Sequence, residues 1–205
     1  MRCGGTVKAQ RRLQVANIRV IQSPYIGPFS NIEAVNESST GTGVGIHVGE
    51  LGGRVELTQT GVGTKEYQKV QLDSGVAAGA YAPGQLTYWK DKSKYLVTND
   101  KAAALGANAV GSTNDGYRNE VAGVIQVVGT PTNYVWVQQK GNNAAVKITS
   151  GSPAPGDNLV GSTTSGSGTI IAAGSNLTLQ SLGKFTTVAT TVTSAPVDLD
   201  IPGIP

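Results

Sequence analysis

Cysteine and histidine each occur once, as Cys3 and His47, and aromatic residues make up only 5% of the 205 positions. A single thiol closes no intrachain disulfide and cannot assemble a cysteine-based metal site. One imidazole, set in the strand-like GIHVGEL, lacks the convergent partners that metal or triad chemistry needs, and no G-x-S-x-G elbow offers it a serine. Charged residues are also sparse, at 14%. No apolar run reaches the roughly 20 residues that span a bilayer, so no membrane partner is expected. No uninterrupted apolar core follows the N-terminus, so synthesis and assembly in a cytosol are expected.

What is present is glycine, with 28 residues, and a polar filler of Ser, Thr and Asn around β-branched runs. That profile points to an all-β protein, an antiparallel β-barrel or sandwich, with many turns and threonine-covered faces. Charge is distributed unevenly. Arg2, Lys8, Arg11, Arg12 and Arg19 give the first twenty residues five positive charges and no acid, leaving eleven basic against thirteen acidic side chains elsewhere. Basic residues are not interleaved with aromatics on a folded face, so no nucleic-acid partner is expected. The N-terminal stretch reads as an extended arm suited to an acidic protein surface. Three regions follow: a basic, proline-punctuated arm over 1–30, a small β region over 31–75 that contacts neighbours, and the main β-barrel or sandwich over 76–205.

The clearest local structure lies at 121–149, VAGVIQVVGTPTNYVWVQQKGNNAAVKIT. Its first run is nearly continuously apolar, as a strand buried on both faces would be. GTPTN is a turn, YVWVQQK an alternating strand, GNN a second turn and AAVKI a third strand, so a three-stranded meander is expected. Upstream, LQVANIRVIQ reads as a first strand, RVELTQT as a half-buried strand, and QLTYWK, DKSK and YLVTN as strand, charged turn and strand. KAAALGANAVG is the one helix candidate, with too much glycine for more than about two turns. Downstream, NLTLQ, KFTTVATTV and PVDLDI alternate as strands. The last buries Val197, Leu199 and Ile201 and leaves Asp198 and Asp200 as solvated charges that deter edge pairing. GAYAPGQL (79–86) and GSPAPGDNL (151–159) share G-x-x-A-P-G followed by leucine, and so suggest two related β-halves.

No catalytic constellation emerges, and no cofactor and no metal are expected. GTGVG (41–45) lacks the strand before it and the helix after it that a phosphate-cradling loop requires. Asp198 and Asp200 sit on one strand face and not across a cleft. Tyr88 with Trp89, and Tyr134 with Trp136, fit core packing or a sugar-stacking platform.

The order G-x-x-A-P-G-x-L-T-Y-W, VAGVIQ, NYVWVQQKGNNAAVKI, PAPGDNLVGSTTSGSG, SLGKF and PVDLDI resembles the β domain of tailed-bacteriophage capsid cement, or head decoration, proteins. The resemblance covers about 120 residues, from Gly79 to Ile201, and none of the first 75. It implies a non-enzymatic structural virion protein, a homotrimer or related oligomer made in the bacterial host cytoplasm. Such a protein sits on the outer capsid surface and clamps adjacent major capsid proteins. Arg11, Arg12, Arg19, Tyr25 and Phe29 are then the expected capsid contacts. The alternative is a carbohydrate- or receptor-binding β module of a phage head fibre or tail.

Overall fold

β-branched and aromatic residues separated by glycine-bearing turns fold as strands along most of the chain that is described. The computed structural model describes residues 17–22, 36–37, 51–59, 63–75, 80–104, 121–177 and 181–201, with backbone alone for 17–22, 36–37, 59 and 144. In chain order the strands are β1 (Asn17–Gln22), β2 (Asn36–Glu37), β3 (Arg54–Gln59), β4 (Gly63–Leu72), β5 (Leu86–Asp91), β6 (Leu96–Thr98), β7 (Val121–Ile125), β8 (Tyr134–Gly151), β9 (Asn158–Gly161), β10 (Gly168–Ile171), β11 (Gly183–Phe185) and β12 (Val192–Asp200). All belong to one sheet, so the all-β expectation holds. Most pairs are antiparallel; β4 with β6, and β8 with β10, are parallel.

The pairings close into two five-stranded circuits that share β8. β4, β6, β5, β7 and the first part of β8 form one; the rest of β8 with β10, β9, β11 and β12 forms the other. Their topologies are identical. In each, the first strand lies parallel to the third, and third to second, second to fourth, fourth to fifth and fifth to first are antiparallel. The registers agree too. Val135 faces Val70 as Ala195 faces Val146, and Ile125 faces Val137 as Phe185 faces Val197.

The echoed A-P-G motif is the turn that leads into the second strand of each circuit. Proline at the second position and glycine at the third, Gly84 at φ +82° and Gly156 at φ +89°, satisfy a type II turn. Gln85 N–H donates to Ala82 O at 3.2 Å, and Asp157 N–H to Ala154 O at 3.1 Å. The side chains repeat the lock, since Gln85 Oε1 accepts from Ala82 N at 3.0 Å and Asp157 Oδ2 from Ala154 N at 2.9 Å. The two related halves expected from the echo are therefore two copies of one circuit.

Each circuit encloses a core, and β5 with β7 is the wall between them. Leu86, Tyr88, Val121 and Val124 pack into the second core, while Trp89, Ala122 and Ile125 pack into the first. This explains why all five residues of β7 are buried and why its sequence reads as apolar throughout. At about 1.5–3 kcal/mol for each large apolar side chain removed from water, this shared wall is a main source of cohesion between the circuits.

Several local expectations change. GNN is not a turn, because β8 runs through it paired with β12, Gly141 opposite Leu199, Asn142 opposite Asp198 and Asn143 opposite Val197, directly after Lys140, which lies between Glu66 of β4 and Asp200 of β12. Gly141 supplies the positive φ, +84°, needed inside the strand, and Gln138 Nε2 donates to the carbonyls of Lys140, Gly141 and Asn142 at 3.0, 3.0 and 3.1 Å. KFTTVATTV is strand at Lys184 and Phe185 and again at Val192, with 186–191 a loop between them. Alternation of threonine with valine fits a strand, yet Ala189 N–H is turned to Pro153 O at 3.1 Å. The helix candidate is a single 3-10 turn, Lys101–Ala103, capped by Asp100, with 105–111 outside the described residues. In NLTLQ, residues 176–177 are not strand and 178–180 lie outside the described residues. β4, on the near side of the boundary drawn at residue 75, pairs with β6 and β8 on its far side.

Candidate interaction surface

Arg11, Arg12, Tyr25 and Phe29 lie outside the described residues, as do His47 and the GTGVG stretch. Arg19 lies in β1 opposite Glu56 of β3, with its backbone alone described. Trp89 and Trp136 are each 1% exposed, so neither forms a sugar-stacking platform. Asp198 and Asp200 do face solvent while Val197, Leu199 and Ile201 are buried. They are not edge charges, however, because β12 is paired there with both β8 and β11, and Asp198 lies opposite Lys184.

The buried polar groups serve the scaffold. Asp73 accepts from Lys90 Nζ at 2.8 Å and from Gly75 N at 3.2 Å. Tyr81 donates from its hydroxyl to Asp73 O and Gly75 O, both at 3.0 Å, which pins the chain after β4. Burial pushes the Tyr81 phenol up to about 12, so it stays a proton donor to those carbonyls at neutral pH. Gln139 Nε2 donates to Gln68 Oε1 at 2.8 Å and to Ala122 O at 3.0 Å, closing one end of the first core. Among the described residues no three His, Cys, Asp or Glu side chains converge as metal ligands.

The exposed apolar groups single out two loops. Val188 is 72% and Val128 61% exposed, the highest values among the large hydrophobic residues described. Register makes them counterparts, since each tips the loop between the fourth and fifth strands of its circuit. Gly129 N–H donates to Tyr81 O at 2.9 Å where Ala189 N–H donates to Pro153 O, and each loop carries a threonine at positive φ close to the strand that follows, Thr132 at +71° and Thr191 at +48°, one register position apart. Such a conformation costs a β-branched residue about 1–3 kcal/mol, which the surrounding structure offsets in each loop. Neither 126–133 nor 186–191 contains a charged side chain. An uncharged, valine-tipped loop is shed of water at little cost.

β12 runs antiparallel to β8, with Val192 opposite Gly151 and Asp200 opposite Lys140. The two loops therefore lie at opposite ends of the 18-residue β8, up to roughly 60 Å apart at about 3.3 Å per residue. The alternation of KFTTVATTV hid the second loop. Extending the A-P-G echo would have found it, by aligning VVGTPTN with TVATTV after a common strand. A scan against protein-family models and a search of curated proteins both return nothing that matches this chain.

Proposed function

We propose that this chain is a structural virion protein that binds the outer surface of an icosahedral phage capsid and clamps adjacent major capsid proteins. The observation that carries this reading is the pair of equivalent, uncharged, valine-tipped loops at opposite ends of a two-core body. Two contacts held at a fixed span convert weak single attachments into a persistent one when the underlying surface repeats. The basic N-terminal arm adds a third contact of different chemistry, through Arg11, Arg12, Arg19, Tyr25 and Phe29. A homotrimer would multiply all three. The sequence resemblance to capsid cement proteins supports the same reading. Burial of both tryptophans speaks against the carbohydrate-binding alternative.

The test is occupancy on capsids stripped of this chain, measured by co-sedimentation. Wild type is expected to saturate the shell, and Val128→Asp with Val188→Asp, or alanine at the three arginines, to lower occupancy at least tenfold. Unchanged occupancy in both variants would refute the clamp. Light scattering across a dilution series is expected to give a trimer mass, and a persistent monomer would remove the preformed trimer.

A further inference from the structure

We propose that residues 23–35, which join β1 to β2, cross the outer face of the sheet formed by β3, β4 and β8 and seal Trp136 beneath them, so that this face is a docking site for a segment of the chain itself. Alternation defines the face. Val135 and Val137 of β8 and Val70 of β4 pack into the first core, so Trp136 and Lys69 point the other way. Lys69 lies opposite Trp136, Tyr67 is two residues before Lys69, and Val55 of β3 lies opposite Tyr67, which puts all four on that side. None of the four belongs to either core, yet each is at most 3% exposed. The burial is that of one chain by itself, which excludes a second copy as the cover. Substantial contacts between described strands run between sheet neighbours or, for β5 with β8, across β7, so none of these strands lies over the face.

The connectivity selects the occupant. β1 and β2 both run parallel to β4, each through two antiparallel steps, β1 by way of β3 and β2 by way of β8. They stand four strand positions apart, roughly 19 Å at about 4.8 Å per step. Parallel strands need a crossover of about a dozen residues over one face, and residues 23–35 number thirteen. The inner face is already filled by the first core. The crossing row is fixed as well. β1 ends at Gln22, level with Arg54 and Gln68, and β2 begins at Asn36, level with Val135 and Val70. Lys69 and Trp136 occupy the row between. The composition, SPYIGPFSNIEAV, fits a cover: Pro24 and Pro28 have no N–H to leave unsatisfied, while Tyr25, Ile26, Phe29 and Ile32 supply apolar surface. The Trp136 Nε1 donor is buried without an acceptor, which a main-chain carbonyl of the crossing segment would supply. The site stands independently of the capsid reading, although it fixes where Tyr25 and Phe29 stand on the body.

The first experiment places p-azidophenylalanine, close in size to tryptophan, at position 136 of the full chain and irradiates it. Peptide mapping of an equal mixture of isotope-labelled and unlabelled chains then shows where the azide inserts. Beyond the neighbouring strands, insertion within 23–35 of the same chain is expected. Insertion instead into 1–16, 38–50 or 105–120, or into a chain of the other label, would overturn the proposal. The second experiment makes Trp136 the sole reporter, in a Trp89→Phe background. Tyr25→Ser, Ile26→Ser, Phe29→Ser and Ile32→Ser together should remove the cover and raise acrylamide quenching of Trp136 about fivefold or more. The strand signal in circular dichroism should be retained, because the described cores draw on none of these four residues. Val44→Ser, Ile46→Ser and Val48→Ser, in the connection after β2, should leave the quenching as it was. Unchanged quenching in the first variant, or an equal rise in the second, would also overturn the proposal. Capsid occupancy is a separate readout, so its failure leaves the Trp136 result standing.

Discussion

The two circuits share a topology and a lead-in turn but use them differently. In the first, the Gly84 turn is packed against the neighbouring circuit: Lys147 N–H donates to Gly84 O at 2.7 Å, and a side chain at Gly84 would collide with Ala145 O. In the second, no described atom beyond the adjoining residues lies within 4 Å of where a side chain on Gly156 would begin. The same contrast recurs at the strand edges, where β2 covers β8 and nothing described covers the matching part of β12. It recurs in the cores as well. Trp89 faces Val97 in the first circuit at the register where Gly161 faces Gly168 in the second, with Leu159 packed on Gly168. The duplicated unit is thus used in two ways: one copy packs its turn into the neighbouring circuit and has β2 beside it, and the other leaves its turn open among the described residues, while both loops stay exposed.

The sharpest way to break this comparison is to place alanine at both turn glycines. A Cβ at Gly84 meets backbone and not a yielding side chain, so Gly84→Ala adds a steric clash to the strain of positive φ. It should destabilise by more than about 3 kcal/mol. Gly156→Ala meets open space and should cost only the conformational strain, about 1–2 kcal/mol. Denaturant midpoints at constant slope measure both. Equal losses would mean that the first turn is not a docked element.

The duplication was partly legible in the sequence because turn chemistry is local. Ala-Pro-Gly specifies its conformation from three residues, and it appears twice. β7 was legible because burial on both faces leaves no polar position to misread. The continuity of β8 was not, since Gly141, Asn142 and Asn143 have the composition of a turn. What makes them strand is long-range: β4 and β12 flank Lys140, and Asn143 Nδ2 donates to Gln138 Oε1 at 2.9 Å. The loop at 186–191 was missed for the converse reason, because threonine and valine alternate there without a sheet to pair with. Of the proposed contact surface, the sequence showed the basic arm but not the loops. Exposure of a valine is decided by which turn it tips, and that depends on the register of distant strands.

A second experiment sharpens the comparison by making the first circuit resemble the second. Register places Leu199 where the first circuit has Gln139. Gln139→Leu would leave Gln68 Oε1 and Ala122 O without their buried donor, a loss of about 1–3 kcal/mol. Adding Gln68→Leu should recover part of it, because removing both members of a buried polar pair leaves fewer unsatisfied groups. Failure of the double variant to recover stability would show that the glutamine pair shapes the end of the first core beyond its hydrogen bond.

Tyr81 and its counterpart Pro153 differ in pH response. The folded phenol titrates near 12 because burial disfavours its anion, whereas the unfolded one titrates at 10.0. Below pH 10 both states are protonated and stability is unaffected. As pH rises from 10 toward 12 the unfolded chain ionises first, so stability falls across that window. Tyr81→Phe should be less stable at neutral pH, having lost its bonds to Asp73 O and Gly75 O, and its alkaline decline should be shallower than the wild type's. Parallel curves in denaturant midpoint against pH would assign the decline to other tyrosines.

The smallest effect is expected at the loop tips, and it separates packing from adhesion. Val128 and Val188 are more than half exposed, so serine at either position removes little buried apolar surface and should shift stability by no more than about 0.5 kcal/mol. If the two loops contact one repeating partner, Val128→Ser and Val188→Ser should each weaken attachment, and the double variant should lose more than the sum of the single losses in log affinity. Simultaneous engagement requires both contacts. If only Val188→Ser matters, the second circuit alone faces the partner and the division between scaffold and contact surface extends to the loops. If stability falls by more than 1 kcal/mol instead, the valines are held in contacts of the folded chain, and the loops cannot be the surface that the clamp uses.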